Sequence, residues 1–149
     1  MKTIAILFAA VACTGFSTAA HAERCTPRIT GAWLRMPPMA MPMLAGFARI
    51  ENPCKAPVVV TSAKSSAFAD VSLHESKVVD GVSRMRAVPT LTVPARGLVE
   101  LKPGGLHLML MQPVTMPKAG DRVPVTVKLS DGRELKALFD VRSAKPASR

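Results

Sequence analysis

Apolar side chains occupy every second position through Val123, Val125, Val127 and Leu129, with Arg122, Pro124, Thr126 and Lys128 between them. A period of two is the signature of a strand with one buried face. The same alternation, less regular, predicts strands over Ile29 to Arg35, Ala45 to Glu51, Val58 to Ala63, Val71 to Val79, Val82 to Val88, Leu98 to Lys102, Leu106 to Met111 and Glu134 to Val141. Asp80-Gly81 and Asp131-Gly132 each read as a two-residue hairpin turn, because both residue types accept the positive φ such turns require. With 13 Pro and 9 Gly, long helices are excluded. Short strands punctuated by turns at roughly eight- to twelve-residue spacing predict an all-β sandwich or barrel, with Trp33 and Phe47 in its core.

The 149 residues are 48% hydrophobic, enough for one small domain with a core. The balance of 20 Lys and Arg against 10 Asp and Glu gives a net charge of +10. The basic residues form no cluster in the sequence, and with no Tyr and one Trp there is little to stack on bases, so nucleic-acid binding is set aside. A basic surface of this kind suits an acidic partner or a lipid surface.

The N-terminal segment carries a separate message. Lys2, the apolar run Ile4 to Ala12 and the small-x-small triplet Ala20-His21-Ala22 make residues 1–22 a signal peptide cleaved before Glu23. The apolar run is too short to span a bilayer, so no membrane span is expected after cleavage. Cys13 lacks the Leu that usually opens a lipidation motif, Ala10 standing there instead. The expected organisation is a signal at 1–22, a β domain at 23–142 and a flexible tail at 143–149, exported to the periplasm. Cleavage leaves two cysteines, Cys25 and Cys54, and in an oxidising compartment these are expected to pair. They lack the Cys-x-x-Cys spacing of a thiolate metal site.

Cleavage also leaves two histidines, and each lies near a methionine in a strand-like segment. If Asp80-Gly81 is a two-residue turn, Ser76 faces Met85, and His74 becomes the diagonal neighbour of Met85. In Leu106-His107-Leu108-Met109, His107 and Met109 share the face opposite the leucines, directed outward or across a cleft. Two imidazoles and two thioethers form a soft, uncharged donor set that suits Cu(I) and offers little to Zn, Ca or Mg. Neither His nor Met in such a segment is unusual as plain packing. The presence of every remaining histidine in such a pair favours a metal. No thiolate lies beside this set, which argues against a blue-copper electron carrier, and no activated nucleophile accompanies it, which argues against an enzyme.

The spacing His74, Met85, His107, Met109 reads H-x10-M-x21-H-x-M, and in this the chain resembles the PCu(A)C family of periplasmic copper chaperones. The likeness extends through Asn52, Leu73-His74-Glu75, Asp80-Gly81 with Arg84-Met85-Arg86, Lys102-Pro103-Gly104-Gly105, His107 to Met111, and Gly120-Asp121. The resemblance implies a cupredoxin-like Greek-key β-barrel that binds one Cu(I). It also implies delivery of copper towards the CuA centre of cytochrome c oxidase, with an oxidase subunit or a Sco-type thiol protein as partner and the chaperone itself a monomer. The alternative is a protein that sequesters periplasmic copper without a dedicated recipient.

Two departures stand out. Gln112-Pro113 replaces the Gly and Leu more usual in the family, and the His- and Met-rich C-terminal extension that serves a second copper in some relatives is not seen. Instead Met36, Met39, Met41 and Met43 crowd a segment with Pro37, Pro38 and Pro42. Such thioethers are candidates for an auxiliary Cu(I) or for copper transfer. The extended conformation that proline favours splays side chains apart, and this favours an apolar docking loop.

Overall fold

A computed structural model describes residues 25–39 and 41–144. The expectations placed on residues 1–22, and on the tail beyond 144, lie outside them. Ten strands are present: β1 (Arg28–Arg35), β2 (Met43–Asn52), β3 (Val58–Lys64), β4 (Phe68–Val79), β5 (Val82–Ala87), β6 (Leu91–Val93), β7 (Gly97–Leu101), β8 (Leu106–Pro113), β9 (Arg122–Leu129) and β10 (Glu134–Arg142). Among the described residues there is no helix, so the all-β expectation is met. The three-residue β6 is too short for a periodicity of two to register.

The strands follow the path β5-β4-β8-β2-β1-β10-β9-β3-β6, with β7 also on β2. All pairings are antiparallel except β1 with β10. Neighbours distant in sequence, such as β4 beside β8, are the crossovers of a Greek key, and β3 packs back against β4 so that the sheet curls around one core. The alternating residues foreseen in β9 do fill it: Val123, Val125, Val127 and Leu129 are buried with Leu34, Leu44, Leu108, Leu110 and Phe139. Gly46 of β2 lets this core close, since a Cβ there would lie 3.1 Å from the methyls of both Leu34 and Leu110.

The two hairpins differ. Asp80-Gly81 forms the expected two-residue turn, both residues at positive φ (52° and 77°), with Val79 opposite Val82. At Asp131-Gly132 only the glycine has positive φ, the Gly132 amide donates to the Leu129 carbonyl and the Leu129 amide to Arg133. The loop there is therefore three residues, Ser130 to Gly132, and not two. Asp131 stays outside the left-handed region because its carboxylate accepts from the Arg133 amide instead.

Cys25 and Cys54 are joined in a disulfide, their Cα atoms 5.4 Å apart. It ties the N-terminal arm to the turn that follows β2. Beside it, the buried Asn52 side chain donates to the carbonyls of Ala56 and Pro94 and accepts from the Cys54 amide. The loop is thus held by hydrogen bonds as well as by the covalent link.

Candidate metal centre

The first half of β2 pairs with β8 and the second half with β7. Between these two strands the chain turns through Lys102-Pro103-Gly104-Gly105, with Gly104 at φ 78° and the Gly105 amide bonded to the Lys102 carbonyl. The turn re-enters the sheet at β8 with His107 on the face away from Leu106, Leu108 and Leu110. Across the ladder His107 stands directly opposite His74 of β4. Their ring centroids are 6.1 Å apart at 31°. With metal–nitrogen bonds of about 2.1 Å and about 1.1 Å from nitrogen to ring centre, one ion held between two imidazoles separates their centroids by at most about 6.4 Å. The observed spacing falls within that span.

Hydrogen bonds orient both rings. His107 Nδ1 lies 2.9 Å from the Gly105 carbonyl; a carbonyl only accepts, so Nδ1 carries the proton and Nε2 keeps its lone pair. His74 Nε2 lies 3.1 Å from the Ser72 hydroxyl, and that hydroxyl donates to the Asp70 carboxylate. The hydroxyl proton being committed to Asp70, His74 Nε2–H donates to Ser72 and Nδ1 keeps its lone pair. His74 Nδ1 is buried without a hydrogen-bond partner. Each ring therefore presents one unprotonated nitrogen, the state a metal ligand needs. Burial, then the neighbouring His107, push the His74 imidazole below its ordinary pKa, while Asp70 pulls weakly the other way.

The thioethers flank the histidines on the same face. Met109 faces Ser72, two positions before His74, and Met85 faces Ser76, two positions after it, as the hairpin geometry predicted. The four residues thus form a diagonal stripe across β8, β4 and β5, with the histidines in the middle. Its ends differ in setting. Met109 is half-buried, whereas Met85 is 54% exposed on a strand whose every residue is exposed.

Of the two directions open to His107, outward or across a cleft, the outward one is not taken, since the residue is only 6% exposed. Phe47 lies 6.5 Å from the His107 ring and Trp33 4.6 Å from Phe47. Phe47 is fully buried, as expected of a core residue, whereas Trp33 is only half-buried; both lie on the opposite face of β1 and β2 from Leu34 and Leu44. They form the wall of the site, a role no local signal in the sequence distinguishes from core packing. Arg35 stands over Phe47 at 5.2 Å and Arg142 over Trp33 at 4.9 Å. Fixed cations behind the wall penalise a divalent ion twice as much as a monovalent one. Among the described residues no three His, Cys, Asp or Glu side chains come together to hold a metal.

The Met-rich segment divides. Met43 opens β2 opposite Met111 of β8, Met36 packs against the core edge, and Met39 and Met41 are exposed.

The LpqE-like lipoprotein family matches residues 28–141, from the start of β1 into the last strand. The chain belongs to this family. A relative from Leifsonia xyli subsp. xyli, "Putative lipoprotein Lxx21020", is 31% identical over 106 residues, 70% of this chain. The match spans 63% of that relative's length. Among solved structures, Cu(I)-DR1885 from Deinococcus radiodurans is 28% identical, with a TM-score of 0.62 over 84% of this chain and 83% of that one. Its apo form is 26% identical, with the same TM-score and 99% of both chains covered. The copper-bound PCuAC domain of PmoF2 aligns with a TM-score of 0.65 over 79% of this chain and 93% of that domain, at 19% identity, and so shares the fold. The LpqE-like chain thus has the PCuAC fold expected from its motif.

Proposed function

We propose that this LpqE-like protein is a copper carrier outside the cytoplasm that holds one Cu(I) with His74, Met85, His107 and Met109 and passes it to a copper-accepting protein. The observation that supports this most is the facing pair of imidazoles, each with one nitrogen left bare by its hydrogen bonds, at a spacing one ion can bridge. Thioethers at both ends of the stripe make the set soft, which selects Cu(I) over Zn or Mg. The Cu(I) named for the DR1885 relative supports the same cargo. The lipoprotein description of the family, together with the signal-like residues 1–22, supports export. The buried His107 side retains the ion, while the exposed Met85 is the ligand a recipient can displace first.

The finer reading is delivery towards the CuA centre of cytochrome c oxidase, directly or through a Sco-type thiol protein. Competition titration against a Cu(I) chelator tests the site. His74→Ala, His107→Ala and Met109→Ala are each expected to weaken binding at least tenfold, and Met85→Ala less. Indifference of three of the four variants would overturn the assignment. Gene deletion tests the destination: loss of oxidase activity that added copper restores supports delivery, whereas copper sensitivity with intact oxidase supports sequestration.

A further inference from the structure

A hollow of about 460 Å³ opens on the same face as the histidine pair, over the first half of β2. Ala45 forms part of its floor, where the small side chain leaves room between β8 and β1. Three thioethers line it from three directions: Met36 at the end of β1, Met43 of β2 and Met109 of β8. Met39 and Met41 do not line it. Proline directs the arrangement, since Pro37 and Pro38 also line the hollow and turn the chain away after Met36. Met109 belongs both to this wall and to the stripe that carries His107 and His74.

We propose that the hollow is a second Cu(I) site, formed by Met36, Met43 and Met109, and that an ion passes between it and the histidine pair by way of the shared Met109. This rests on the reading of the histidine site given above. Three uncharged, polarisable sulfurs lining one hollow offer a soft donor set to a monovalent ion and a poor one to hard cations. The transfer is an exchange of ligands only: copper stays Cu(I), Met109 keeps its bond while imidazole nitrogen is replaced by thioether sulfur, and no proton moves because thioethers do not titrate. Arg35 also lines the hollow, and its fixed positive charge makes the second site the weaker one. A weak site next to a strong one holds the ion transiently, as a transfer route requires.

The test is a Cu(I) titration of the whole protein against a competing chelator, combined with NMR of ¹³C-methyl-labelled methionine. Two equivalents are expected, the second at least tenfold weaker. The first should shift the Met85 and Met109 methyls, and the second those of Met36 and Met43, with Met109 moving again. Met36→Leu with Met43→Leu, which conserves volume, should abolish the second equivalent and leave the first within about threefold. Arg35→Gln should tighten the second several-fold. Uptake of a single equivalent, or a second one insensitive to the double leucine variant, would overturn the proposal. His74→Ala with His107→Ala separates the two readings. If these substitutions remove the strong equivalent and leave the weak one, both readings stand. If they leave the strong equivalent intact, the histidine site fails while the hollow is judged by its own leucine variants.

Discussion

Ser72 is the least conspicuous residue of the centre and one of the most consequential. Its hydroxyl links the Asp70 carboxylate to His74 Nε2, and so decides which nitrogen of His74 is free. Ser72→Ala removes the acceptor and releases the ring to either tautomer. Cu(I) affinity is expected to fall about tenfold, as for other outer-shell partners of a ligating histidine, with Ser72→Thr restoring most of it. Long-range ¹H–¹⁵N spectra of the apo protein read the tautomer directly. The same ring is expected to titrate below the ordinary value of about 6.5, because burial and then His107 disfavour its charged form. Asp70 acts in the opposite sense, so Asp70→Asn should lower the midpoint further; an NMR pH titration of His74 measures both. The four residues proposed as donors were named from spacing and residue type, and the strands bring them onto one face. Ser72, Asp70 and the wall of Trp33 and Phe47 were not, because a serine two positions before a histidine, or an aromatic in a strand, acquires meaning only when another strand is laid beside it.

The β4–β5 hairpin carries Met85 out to the end of the stripe, and little besides its turn and its base holds it there. At the base, Glu75 pairs with Arg86 across the ladder at 2.6 Å and with Lys77 at 3.2 Å. These two cations, Arg86 foremost, hold the Glu75 carboxyl below the usual carboxylate range. Both cationic partners are exposed, so the pairs add little stability, and Val78 and Val82 near the tip are exposed as well. The two-residue turn is what sets the register, and a slip of one residue would carry Met85 to the opposite face. Gly81, at φ 77°, is the position to challenge. Gly81→Val imposes backbone strain of about 1–3 kcal/mol, and the expected outcome is faster amide exchange along β5 and a loss of Cu(I) affinity matching that of Met85→Ala, with the rest of the fold intact. Strands, turn and register here were all readable in advance, because Asp-Gly encodes its own geometry. Gln112 shows the converse. It holds a positive φ of 53°, a conformation glycine adopts at no steric cost, at the position where the resembling family more often has Gly.

Across the molecule, the candidate metal face lies along the first half of β2, and the covalent staple lies just beyond the strand's last residue. Met43 and Ala45 open the strand beside Met109, and Asn52 closes it beside the Cys25–Cys54 disulfide. Loss of the bridge should therefore affect stability and spare the metal. Cys25→Ser with Cys54→Ser is expected to reduce unfolding free energy by about 3–4 kcal/mol on the loop-closure argument, measured by urea denaturation, with Cu(I) affinity unchanged. Thiol count and compartment were enough to foresee the pairing, whereas its distance from the centre follows only from the Greek-key path. From Ala45, level with Met109, to Asn52 is roughly 23 Å of extended strand. A molecule that comes to collect the ion can therefore cover the histidines and thioethers without touching the disulfide-bonded loop, and the loop can be gripped or altered without closing the way to the ion.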